Sequence, residues 1–167
     1  MFEIRLLQLG EEETFIKLKQ RAIAENQGVL LEASYNPSVA FVTAQINAGP
    51  RGDVNNVVLL VDGEMLGFCQ MFLGHEKRRH KVTMRNIFII QNEKTKGMHF
   101  GIKIVEFIEQ YAKSLGYEEI TAGIVPGHRS EKLLEPLGFM PSFTEYRCLK
   151  LLNDSYVDIC TWIKRIK

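Results

Sequence analysis

The sequence predicts an α/β (α+β) domain with a mixed, mostly antiparallel sheet and helices on both faces. Two stretches carry this reading. Val57–Val61 and Met65–Leu73 are apolar runs joined by Asp62-Gly63. Asp-Gly between two strands is a strong hairpin signal, so these runs pair antiparallel. Ile87–Gly116 instead reads as a short buried strand, a polar loop, a glycine-bearing turn and a long amphipathic helix. The strand before this helix and the strand after it are joined by a crossover, as parallel neighbours require.

The 167 residues suit one domain with a substantial core. Hydrophobic residues are 46% and charged residues 25%, the ordinary balance of a globular protein. A net charge of +1 provides no bulk attraction for nucleic acid, which argues against a nucleic-acid binder built on the basic loop near Lys77–Lys81. Cys69, Cys148 and Cys160 have no metal-type spacing, so no metal is expected. An odd, sparse cysteine count fits a reducing cytoplasm. The N-terminus lacks the apolar core of a signal peptide, and no run reaches the length of a membrane span.

In order, Phe2–Leu9 is the first strand, ended by Gly10. Glu11, Glu12 and Glu13 open a helix, where acidic groups favour the positive end of the dipole. Phe15, Leu18, Ala22 and Ile23 are its apolar stripe, and Gln27-Gly28 ends it. Val29–Tyr35 is a linker. A second helix starts with Asn36 as N-cap and Pro37 in its first turn, turns Val39, Val42 and Ile46 inward, and stops at Gly49-Pro50. After the hairpin comes a basic loop, Gly74–Lys81, which is either a solvated connection or the rim of a site for acidic groups. Val82–Ile90 is the next strand. Its helix carries Ile104, Val105, Ile108, Tyr111, Ala112 and Leu115 on one face and stops at Gly116. Tyr117–Val125 is a strand, broken by Pro126-Gly127. Ser130–Leu137 is a short helix, and Ser142–Leu152 the last strand region. Tyr156–Lys167 reads as an added amphipathic helix packing through Val157, Cys160, Trp162 and Ile163. The domain thus spans residues 1–152 and the helical extension 153–167. That extension either docks on the domain or forms a dimer or partner contact.

The polar loop before the long helix has a chemical use. The first four N–H groups of a helix lack partners within it and, with the dipole, suit an anion such as phosphate. Gly97 and Gly101 let the backbone approach such a group closely, or simply help the chain turn. The stretch matches neither the P-loop nor the dinucleotide-binding glycine pattern.

Lys96-Gly97-Met98-His99-Phe100-Gly101 resembles the acyl-CoA loop of the GNAT N-acetyltransferases, (Gln/Arg)-x-x-Gly-x-(Gly/Ala). Lys96 stands for the Arg or Gln, and His99 for the middle Gly. Leu60–Phe68 looks like the second hairpin of that family, and Val82–Ile89 like its fourth strand. Leu134-Glu135-Pro136-Leu137-Gly138-Phe139 is similar to its Leu-Tyr-Glu-Lys-Leu-Gly-Phe ending. The element order β, α, α, β, β, β, α, β, α, β, β is also that of the family.

The resemblance implies transfer of an acetyl group from acetyl-CoA to a primary amine of a small molecule or protein. Backbone groups of Ile89, Ile90 and Gln91 would pair with the pantetheine arm in a gap between the fourth and fifth strands. The N–H groups around Gly97–Ile102, including those of Met98, His99, Phe100 and Gly101, would cradle the pyrophosphate. Lys96 would add a point charge. The side chain of His99 would turn away from the ligand or add a contact. Leu134 falls where the family often has a Tyr acid, so His80, Glu76 and Tyr146 are the candidates to move protons; each is also at home as an ordinary surface or packing residue. The alternative is a catalytically impaired CoA-binding or interaction module on the same fold. No nucleic acid or membrane partner is expected, and a homodimer is compatible with the reading.

Overall fold

The computed structural model describes residues 1–25, 37–74, 80–150 and 154–167. Among them are seven strands in one sheet, ordered β1-β2-β3-β4-β5-β7-β6. The strands are β1 (Phe2–Leu6), β2 (Val54–Val61), β3 (Glu64–Leu73), β4 (Lys81–Ile89), β5 (Glu119–Ile124), β6 (Met140–Lys150) and β7 (Tyr156–Arg165). The helices are α1 (Glu12–Glu25), α2 (Val39–Asn47), α3 (Phe100–Ser114) and α4 (Glu131–Leu134). None is long and apolar enough to cross a membrane.

The β2–β3 hairpin turns on Asp62 and Gly63, both at positive φ (51° and 80°), the geometry that Asp-Gly favours. β4 and β5 are parallel neighbours because α3 carries the chain back between them; every other strand pair is antiparallel. Side-chain alternation places the helices. Phe68 stacks edge-on against Phe15 of α1 at 5.5 Å. Its neighbour Gly67 pairs with Ile89, and these face the other way. There the Cδ1 of Ile89 lies 4.0 Å from where a Cβ on Gly101 of α3 would sit. Helices therefore cover both faces. The core between them includes fully buried Phe15, Phe68, Met71, Ile104, Ile108 and Ile120.

The start of α2 and the C-terminal element differ from the sequence reading. α2 begins two residues later than expected. Ser38 is its N-cap, with its Oγ accepting from the Phe41 N–H at 3.1 Å, and Val39 is consequently exposed while Val42 is buried. Asn36, like Gln27–Tyr35, lies outside the described residues. The expected C-terminal helix is β7. It inserts between β5 and β6, pairing Glu119–Ile124 on one side and Met140–Lys150 on the other, so residues 156–165 are part of the sheet and not an extension of it. The segment Tyr-Val-Asp-Ile-Cys-Thr-Trp-Ile is rich in β-branched and aromatic residues, which suit a pleated surface better than a helix. Its apolar residues also match a three- to four-residue spacing by chance, and the pairing partners on both sides decide the outcome. The sequence reading had placed its last strand region at Ser142–Leu152, which is β6 (Met140–Lys150), and had no strand at 156–165.

Candidate active site

β4 and β5 pair only over Lys81–Met84 with Glu119–Ala122. The last rungs are tied by the hydroxyls of Thr83 and Thr121, 2.9 Å apart. Beyond them β4 takes one extra residue relative to β3, since Gln70 pairs with Arg85 but Phe68 with Phe88. The bulge contains Asn86 at φ 59°, in the left-handed region. A bulge bends its strand and increases local twist. Here it directs β4 away from β5 and opens a cleft lined by Arg85, Asn86, Ile87, Gly123, Ile124, His128, Ser130, Leu133 and Leu134 among others.

The loop after β4 is held by its own side chains. Thr95, 4% exposed, donates from its hydroxyl to the Ile90 carbonyl at 2.5 Å and accepts from the Asn92 N–H at 3.0 Å. The Asn92 side chain accepts from the Lys94 N–H at 3.0 Å. Gly97 follows at φ 76° with open space where a Cβ would be. His99 is the N-cap of α3 at φ 54° and caps nothing with its side chain. The position has left-handed backbone, which His adopts at modest cost. Ile102 and Lys103 donate to the His99 carbonyl. The N–H groups of His99, Phe100 and Gly101 have no acceptor among the described residues, and the first turn of α3 carries no acidic side chain. Such an end is prepared for an anion.

The helix end lies beside the cleft. A Cβ on Gly101 would lie 3.3 Å from Leu133 Cδ1, and Leu133 lines the cleft. The missing side chain of Gly101 thus faces Leu133 and the end of β4. Phe100 turns its ring into the core, edge-on to Phe2 at 5.3 Å, so only its backbone is available. Lys96, Met98 and His99 are exposed on the loop. The Ile90 N–H does not face the gap, because it donates to the Leu66 carbonyl on the β3 side at 2.8 Å. Alternation turns the Ile89 N–H to the cleft side. Gln91 folds back, its Nε2 donating to the Ile89 carbonyl at 3.2 Å.

The side chains expected to move protons are not brought together. His80 precedes β4, at the opposite end of the strand from the cleft, and its carbonyl accepts from Glu118 and Glu119. Asn86 is six positions further along the strand, roughly 20 Å away. Tyr146 is 77% exposed on β6, the edge strand. Glu76 lies outside the described residues. Leu134 is buried at 1% exposure, an apolar wall with no proton to give.

What the sequence reading missed is His128. It follows the Pro126-Gly127 break and lines the cleft. The Ser130 N–H donates to its Nδ1 at 3.2 Å, and the Ser130 hydroxyl lies 2.9 Å from the same nitrogen. The proton of the neutral ring is therefore on Nε2. Burial, with Arg129 nearby, lowers its pKa from the ordinary value, so the ring is neutral near pH 7. Asn86 was also missed, although Asn is among the residues that most readily take left-handed backbone.

Three solved structures show what this architecture is similar to. A probable acetyltransferase from Staphylococcus epidermidis matches over the whole of both chains, with a TM-score of 0.77 and 21% identity. An acetyltransferase of the GNAT family from Streptococcus pneumoniae does so with a TM-score of 0.82 and 14% identity. A GNAT superfamily phosphinothricin acetyltransferase from Sinorhizobium meliloti, in complex with acetyl-CoA, matches 98% of this chain and 88% of its own, with a TM-score of 0.77 and 16% identity. No protein-family model matches the sequence, and a search of curated proteins finds no match. The chain has the fold of the GNAT acetyltransferases.

Proposed function

We propose that this protein is an acetyl-CoA-dependent N-acetyltransferase acting on a primary amine of a small molecule or protein. The observation that carries this reading is that the unpartnered N–H groups at the start of α3 lie beside the opening between β4 and β5, with Gly101 against Leu133, which lines that opening. In this reading the N–H groups of His99, Phe100 and Gly101 hold the pyrophosphate, with Lys96 adding charge from the loop. The Ile89 backbone pairs with the pantetheine arm, and the thioester lies beside Asn86 and His128.

The chemistry asks for little more. A thioester carbonyl needs a donor, the amine must lose a proton, and the thiolate must be stabilised as it leaves. Placing the two reactants together supplies much of the rate. His128 is assigned to the leaving sulfur: its neutral Nε2–H is a hydrogen-bond donor in the same cleft where Leu134 has none to offer. The proton of the amine passes to water at the solvent-open side of the cleft.

A second reading is favoured by Leu134 itself. A fold of this kind without a phenolic acid suits a CoA-binding module that no longer turns over. Thermal-shift titration with acetyl-CoA, followed by a thiol-release assay across a panel of amines, separates the two. Stabilisation with turnover is expected. Stabilisation without turnover on any amine supports the module, and no stabilisation at all overturns both.

A further inference from the structure

Gln70 is a buried polar residue among the apolar residues of β3, 3% exposed. Its side chain is the junction of a directed set of hydrogen bonds. Asn86 Nδ2 donates to Gln70 Oε1 at 3.0 Å, and Lys19 Nζ of α1 donates to the same oxygen at 3.3 Å. Gln70 Nε2 in turn donates to Asn56 Oδ1 of β2 at 2.9 Å, and Asn56 Nδ2 donates to Gln45 Oε1 of α2 at 2.9 Å. The neighbouring residue of β3 holds the same bulge: the Cys69 thiol lies 3.4 Å from the Arg85 carbonyl, and burial pushes its pKa up to about 12, so it stays a donor.

A buried polar network of this kind is tolerated only when its members are satisfied. An apolar residue at position 70 would fill the same space with none of these requirements. The network ends on the one β4 residue whose backbone is left-handed without being glycine. Such a conformation persists only where its surroundings over-determine it. Without the bulge, β4 would continue straight beside β5 and close the cleft.

We propose that Gln70, oriented by Lys19 and Asn56, is a positioning residue that holds Asn86 in the bulge and so keeps the β4–β5 opening preformed for a thioester. This rests on the acetyl-CoA reading above. The Asn86 amide is thus a tether for the backbone, anchored from α1 and α2 through β3.

The test is a double-mutant cycle read by calorimetric titration with acetyl-CoA, with melting temperature recorded beside it. Gln70→Leu weakens acetyl-CoA binding by about tenfold, the scale of one lost buried hydrogen bond. Glycine takes the left-handed conformation without a tether. In an Asn86→Gly background, Gln70→Leu therefore changes the affinity by less than about twofold, while still lowering the melting temperature. A penalty of equal size in both backgrounds, or none in the parent, overturns the proposal, because a purely structural Gln70 acts independently of residue 86. If Gln70→Leu fails to fold, Asn86→Val serves. It leaves Gln70 and Lys19 in place but cannot adopt the bulge comfortably, so about tenfold weaker binding is expected and parental affinity overturns the proposal. A parent protein that binds no acetyl-CoA overturns the acetyltransferase reading and this one with it.

Discussion

Gly101→Asp probes the phosphate site directly. The new Cβ would lie 3.3 and 3.4 Å from the two methyl groups of Leu133, which are flexible tips that can shift. Losing a glycine from a helix contributes up to about 1 kcal/mol, and an acid in the first turn adds roughly 0.3–1 kcal/mol. These gains offset the crowding, so the folded state is expected to change in stability by no more than about 1 kcal/mol. Binding is another matter. A carboxylate on the order of 5 Å from one phosphate charge, at an effective dielectric of about 20, opposes it by about 3 kcal/mol, or roughly 100-fold in affinity. Gly101→Asn is the control, with nearly the same shape and no charge. Calorimetric titration with acetyl-CoA should show Asp weakening binding about 100-fold and Asn much less, and the difference should narrow as salt is raised. A Gly101→Asp protein that folds and binds acetyl-CoA as tightly as the parent refutes the placement of the pyrophosphate at α3.

Lys96→Ala removes one exposed charge and should weaken acetyl-CoA binding only about two- to threefold at low salt, with no difference left at high salt. His128→Ala should lower turnover about tenfold in a thiol-release assay while leaving acetyl-CoA affinity within about threefold; a loss of binding equal to the loss of rate would contradict the role at the sulfur. Burial lowers the Lys19 pKa from 10.5 to about 8. The unfolded chain therefore holds more protons than the folded one between those values, and stability rises with pH across that window. Lys19→Met should accordingly be more stable than the parent by roughly 1–3 kcal/mol below about pH 8, with the advantage fading toward pH 10.5; urea titrations showing the advantage growing with pH would reverse the sign of this argument. Removing residues 156–167 should abolish cooperative unfolding in circular dichroism, because β7 pairs on both edges and buries Trp162 and Ile166. A truncated chain that still folds would mean the segment is an accessory after all.

The order of elements was legible because it is written in local signals: Asp62-Gly63 for the hairpin, three- and four-residue spacing for α3, and Gly116 for its stop. Gly97 too was legible, since a left-handed loop position demands it. β7 was not, because the apolar residues of Tyr156–Arg165 fit both a helical and a strand period. Its state was settled by two strands, β5 and β6, that leave a gap only a strand can fill. The cleft was half legible. Its loop is contiguous in sequence, whereas its opening depends on Gln70, Asn86 and Lys19, which sit on three elements and meet only after the sheet and α1 have packed. The same holds for proton transfer. His80 and Tyr146 were candidates because they flank the expected site in sequence, but His80 lies at the opposite end of β4 and Tyr146 on the edge strand β6. His128 lines the cleft only because the β5–α4 turn folds its ring back onto the Ser130 N–H. Local propensity fixes which elements form, and non-local pairing decides which side chains share a site.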